Sequence, residues 1–118
     1  MIYHITTLKQ WQTALEEGVY APETFATDGF VHCSTDKQVL DVATRLYSHE
    51  KEILLLMIDE KLTAPEIVYE NLEGGKEKYP HIYGNLNLEA VVNSAFMHKD
   101  QHGKFIFPTF TSNSVRTW

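Results

Sequence analysis

The spacing of hydrophobic positions changes period several times along this chain, and each change predicts an element. "MIYHIT" alternates and is rich in β-formers, so residues 1–6 read as a strand. Thr7 followed by Gln10 has the spacing of a capping box. Leu8, Trp11 and Leu15 then recur at helical intervals until Gly18 closes the helix. Residues 19–28, with Pro22 and "TDG", read as a loop, and "GFVHCS" as a second short strand. Thr35 and Gln38 repeat the capping-box spacing, ahead of a helix whose buried face holds Val39, Ala43, Leu46 and Tyr47.

The second half reads as strands. "EILLLMID" is apolar without alternation and bounded by charge, which predicts a central strand over 53–58 buried on both faces. "EIVYENL" is a further strand, followed by the polar Gly-rich loop "EGGKEK". "YPHIYG" is extended, "LEAVVNSAFMH" is a turn into a strand, and "KDQHG" is a hairpin turn into "KFIFPTF". The sum is an α+β domain over residues 1–110 with two N-terminal helices, and a polar tail over 111–118 whose large apolar group is Trp118.

Bulk properties narrow the classes of function. The chain has 118 residues, 43% hydrophobic and 22% charged, which suits one globular domain. Net charge is −6, and only Arg45 and Arg116 among the ten basic residues are arginines. No Lys/Arg cluster exists to track a phosphate backbone, so nucleic acid is not the expected partner. The lone Cys33 excludes an internal disulfide and fits a reducing cytoplasm, the expected location. "MIYHITT" lacks the basic and apolar regions of a secretory signal, and "ILLLMI" is too short to span a bilayer. No membrane association is expected, and the expected assembly is a monomer or weak dimer.

Candidate chemistry comes from three segments that place a histidine two residues from a hydroxyl: "HIT", "HCS" and "HIY". Residues two apart in a strand share a face. His4 pairs with Thr6, His32 with Ser34 and His81 with Tyr83, while Tyr3/Ile5 and Val31/Cys33 form the opposite, apolar faces. One reading is a polar cleft in which imidazoles and hydroxyls bind an oxygen-rich ligand. Another is three half-buried histidines hydrogen-bonded to backbone. Cys33 and His32 are strand neighbours pointing to opposite faces, so they do not form a nucleophilic pair, and the thiol is expected to be buried and inert. No recognised metal-ligand spacing is present, so no metal is expected from His4, His32 and His81. His49, His98 and His102 lie in charged turns and read as solvated. Glu70 ends "IVYE" just before the Gly74–Gly75 loop, where a carboxylate faces either a cleft or solvent. The loop 71–79 is a lid or a plain connection.

"IYHIT", "GFVHCST" followed by Gln38, "ILLLMID" and "YPHIYG", in that order, resemble a family of small bacterial proteins classed as a domain of unknown function. The resemblance covers residues 1 to about 110. That family's fold is similar to that of ADP-ribosyltransferases, which cleave the nicotinamide–ribose bond of NAD, and its layout is similar to RNA 2′-phosphotransferases. The resemblance implies an ADP-ribosyltransferase-like fold with mixed or antiparallel sheets, and NAD as substrate rather than as bound cofactor. It also implies catalytic roles for His4, His32 and Glu70. His4 would meet a ribose hydroxyl or the pyrophosphate, and Glu70 would stabilise an oxocarbenium-like ribose by its charge. Thr6, Ser34, His81 and Tyr83 would bind the nucleotide-like ligand, Tyr83 by stacking and Ser34 beside the N-terminus of the second helix. The chain departs from the phosphotransferases in its shortage of arginines and in Ile5, where they carry glycine. Three functions therefore stand side by side: an NAD-using enzyme or a degenerate relative of one, a non-catalytic nucleotide or metabolite binder, and a structural or partner-binding protein whose histidines are packed.

Overall fold

The structure, a computed structural model, describes residues 1–72 and 74–111. Its organising element is the apolar run. The strands are β1 (Ile2–Thr6), β2 (Val19–Tyr20), β3 (Val31–His32), β4 (Glu52–Ile58), β5 (Glu66–Glu70), β6 (Tyr79–Tyr83), β7 (Leu86–Asn87) and β8 (Val91–His98). β4 lies in the middle of a three-stranded sheet, order β1-β4-β8, with both neighbours antiparallel to it. Its side chains alternate between two cores. Leu54, Leu56 and Ile58 enter one with Trp11, Tyr20 and Ile82; Ile53 and Leu55 enter the other with Val39, Ala43 and Met97. The unalternating sequence thus reflects a strand apolar on both faces, as expected.

A second three-stranded sheet has the order β3-β6-β5, and β2 pairs with β7 in a two-residue ladder. Every pairing is antiparallel. The two larger sheets are joined through one short segment. Val31 and His32 pair with Ile82 and His81 of β6, and then Ser34 exchanges both backbone hydrogen bonds with Tyr3 of β1, each at 2.8 Å.

The helices are α1 (Leu8–Glu17), α2 (Phe25–Asp28) and α3 (Val39–Leu46), with 3₁₀ turns at Glu60–Leu62 and Leu88–Ala90. Each capping box forms one half. Thr7 Oγ1 accepts from Gln10 N, whereas Gln10 Oε1 turns away to accept from Glu23 N. At α3 the reverse half forms: Thr35 N donates to Gln38 Oε1, and Gln38 Nε2 donates to Lys78 O. Gly18 closes α1 with φ +81°, a left-handed conformation that glycine adopts without strain.

Three expectations are corrected. Residues 19–28 are not wholly loop, because Tyr20 is pulled into the core and brings β2 with it, and α2 follows. Leu46 is 58% exposed although it shares α3's apolar spacing, because it is the last residue of the helix. Residues 104–110 continue the hairpin only through a Lys99–Phe105 bridge. Pro108 lacks the N–H a ladder needs, and Phe105, Phe107 and Phe110 cover the second core instead. The expected tail falls, beyond Thr111, outside the described residues. No helix among the described residues is long and apolar enough to cross a membrane.

Leu56 lies on β4 between His4 of β1 and Ser94 of β8 and is fully buried. Leu56→Ala is expected to lower the free energy of unfolding by about 2–5 kcal/mol, the usual cost of a leucine-sized cavity. A urea unfolding midpoint that does not move would refute the central place given to β4.

Candidate functional site

The crossing segment Val31–Ser34 builds a cleft of about 320 Å³ between the two large sheets and α3, near the lower end of the range for small-molecule sites. Phe30, His32 and Ser34, two residues apart in the chain, all line it. His81 and Glu70 come from β6 and β5, Asp28 from the end of α2. Val42, Leu46 and Leu72 add apolar wall, and Leu72 is 59% exposed at its edge.

Register brings the two histidines together. His32 and His81 are cross-strand partners, so their rings lie on one face with centroids 5.4 Å apart. Each ring is held by a carboxylate. His81 Nδ1 donates to Glu70 Oε2 at 2.9 Å, and His32 Nε2 donates to Asp28 Oδ2 at 2.8 Å. Phe30 stacks on His81 at 4.1 Å and an interplanar angle of 25°, and also meets His32 at 4.6 Å. Glu70 Oε2 accepts a second hydrogen bond, from the Tyr83 hydroxyl. Tyr83 and then His81 hold the Glu70 carboxyl below its ordinary range, and the same contact raises the Tyr83 phenol.

His4 behaves differently from the expectation. β1 is buried on both faces, because α1 and Tyr20 cover the side that His4 and Thr6 share. His4 borders the cleft, yet both of its nitrogens are taken. Nδ1 lies 2.5 Å from His32 O, an atom that can only accept, so Nδ1 carries the proton. Burial pushes the ring's pKa down to about 4, so it is neutral at pH 7 and Nε2 holds the lone pair. Nε2 therefore accepts from the Tyr20 hydroxyl at 2.7 Å. With that hydrogen spent, the Tyr20 oxygen accepts from Thr6, 2.8 Å away. His4 and Thr6 thus form a buried relay that supports the backbone at His32, and Thr6 does not line the cleft.

At the start of α3, Gln38 N and Val39 N both donate to Thr35 O and Thr35 N donates to the Gln38 side chain, so these three N–H groups are engaged beside Ser34, which lines the cleft. Tyr83 supports Glu70 from outside the lining and meets Phe30 at 5.2 Å, so its expected stacking partner is a protein ring. Among the described residues no group of three His, Cys, Asp or Glu side chains is placed to hold a metal ion. Asp28 and Phe30 were not singled out from sequence. Phe30 was legible, since it shares the face of His32 by the two-residue rule. Asp28 was not, because its approach depends on the turn at Gly29, φ +81°, between α2 and β3.

Two outcomes follow. Cys33 is 4% exposed among apolar neighbours, and burial, then the charge of Glu60, raises its thiol pKa. Thiol reagents should label the native protein far more slowly than the unfolded chain, and equal rates would count against its burial. His4 gives an acid-stability signature. The unfolded chain takes up this proton below about 6.5 and the folded one only near about 4, so the stability is intact above 6.5 and is lost as pH falls toward 4. The full difference is about 3 kcal/mol. His4→Gln should be less stable at pH 7 and show a shallower acid slope in urea titrations. An unchanged slope would mean that the ring is not held neutral.

Solved structures share this fold. The crystal structure of protein CC0527 from Caulobacter crescentus matches with a TM-score of 0.79 and 24% identity, covering 89% of this chain and 92% of that one. The solution structure of the same protein matches with a TM-score of 0.76 and 25% identity, covering 87% and 89%. No curated protein matches. The family described as "Protein of unknown function (DUF952)" matches residues 5–94. That match runs from the end of β1 to the middle of β8 and takes in the cleft residues named above except His4, which lies just before it, and the chain belongs to the DUF952 family.

Proposed function

We propose that the cleft is an active site for a nucleotide-like small molecule, with cleavage or transfer at the nicotinamide–ribose bond of NAD as the reaction it suits best. One observation carries this reading: two carboxylate-held imidazoles stand side by side on one sheet face, their centroids 5.4 Å apart, in the same cleft. A carboxylate that accepts the Nδ1 proton of His81 leaves Nε2 as a lone-pair nitrogen, the form of a general base. In the reaction, an attacking hydroxyl or water forms its bond to the ribose carbon as the bond to nicotinamide breaks. The leaving ring departs with the electron pair, and the attacking group's proton passes to His81 Nε2. Glu70, kept ionised by Tyr83 and His81, supplies negative charge toward the cationic ribose. His32 orients the ligand from beside His81 on the same sheet face. His4 supports the site from behind rather than touching the ligand.

A second reading, a binder without turnover, is favoured by the scarcity of cations. Arg45 is the one Lys or Arg lining the cleft among the described residues, and its Nε donates to Asp41 at 2.9 Å. Calorimetry with NAD and ADP-ribose, run beside chromatographic measurement of nicotinamide release, separates the two. The enzyme reading expects release that falls at least about a hundredfold in His81→Gln and in Glu70→Gln. Binding without release leaves the binding module, and neither binding nor release removes nucleotides from consideration.

A further inference from the structure

The hydrogen bonds inside the cleft also define what kind of ligand head group fits, which rests on the cleft being the ligand site but not on any reaction there. Glu70 uses Oε2 for both His81 and Tyr83, and Oε1 has no protein partner among the described residues. Asp28 uses Oδ2 for His32, and Oδ1 is likewise unengaged. The His81 side chain is only 7% exposed, yet its Nε2 has no hydrogen-bond partner among the described residues. Because Nδ1 donates to Glu70, the neutral ring offers Nε2 as an acceptor. The same reasoning makes Nδ1 of His32 an acceptor, since Nε2 donates to Asp28.

With both rings neutral, all four remaining polar atoms of the two pairs are acceptors, and two of them belong to carboxylates. An anionic head group would meet lone pairs and negative charge with no donor from either pair. Ser34 and Thr24 hydroxyls turn either way, and Asn71 Nδ2 is spent on Gly75 O. Arg45, the lining cation, lies in the last turn of α3 and donates to Asp41 and to the Tyr79 hydroxyl. Val42, Leu46 and Leu72 supply an apolar wall beyond the polar floor.

We infer that the cleft recognises an organic cation with several N–H donors on a flat head, of the amidinium or guanidinium kind, attached to an apolar body. Such a head satisfies carboxylate oxygens and imidazole lone pairs together, as a charge-assisted fork. The apolar body lies against Val42, Leu46 and Leu72.

Benzamidine, benzamide and benzoate test this directly, because they share a phenyl ring and a flat head while the charge runs from positive through neutral to negative. Calorimetry on the wild-type protein at pH 7.5 should show benzamidine binding at least about tenfold tighter than benzamide, with benzoate weakest. Glu70→Gln, with its fold verified by circular dichroism, should bring the benzamidine and benzamide affinities close together. Benzoate binding as tightly as benzamidine overturns the inference, and so does the absence of binding by all three. Nicotinamide release is a separate readout. A protein that binds benzamidine and leaves NAD intact keeps this inference and loses the proposed reaction. One that cleaves NAD and prefers benzoate does the reverse.

Discussion

Of four residues, Val31–Ser34, the first three pair with or hydrogen-bond to one sheet and the last to another, and the cleft exists because of that crossing. Val31 and His32 pair with β6; Cys33 N donates to Pro80 O at 3.0 Å; Ser34 exchanges two hydrogen bonds with Tyr3. The switch leaves His32 O with no place in a regular ladder, and His4 Nδ1 takes it. A buried carbonyl without a donor costs about as much as a lost hydrogen bond, so the histidine answers a need created by the backbone. Tyr20 and Thr6 then complete the chain of donors, which explains why a two-residue strand, β2, is buried so firmly beside α1.

The same crossing separates two kinds of histidine. His4 lies under the segment, desolvated and neutral, with both nitrogens fixed. Exposed His32 and buried His81 both line the gap between sheets, each with one nitrogen fixed by a carboxylate. Two fixed nitrogens make the first kind a structural commitment, whereas the second nitrogen of each ring in the second kind is open to a ligand. Phe30 sets the distance between these two rings by stacking on one and touching the other.

Net charge and local charge agree. The chain carries −6 overall, and the cleft adds two carboxylates against one arginine that is already engaged. A site of this sign draws in cations and repels free phosphate, whichever chemistry follows. That sets this cleft apart from phosphate-gripping nucleotide sites lined by several arginines, and it accords with the near absence of arginine in the sequence.

Strand periodicity alone placed the apolar run 53–58 at the centre of the fold, put Val31 and Cys33 in the core, and set His32 and Ser34 together on the opposite face. Those features follow from side chains alternating every two residues, a local rule that needs no partner. The same rule was insufficient for His4, because alternation says which residues share a face and not whether that face is covered. Tyr20 and α1 cover it, and their arrival is a matter of tertiary packing. It was equally silent on Leu46, whose helical spacing promised a core that ends one turn too early. The pairing of His32 with His81, and of each with a carboxylate, required the register of β3 on β6 and the turn at Gly29. The register is set by contacts between residues far apart in the chain, and the turn by a local bond from Gly29 N to Phe25 O. The residue types in the cleft were thus determined by the sequence itself. Only the tertiary structure decided which histidines face a ligand, since what separates them is how many ring nitrogens already hold a hydrogen bond, two in His4 and one each in His32 and His81, and those partners are brought up by the packed molecule.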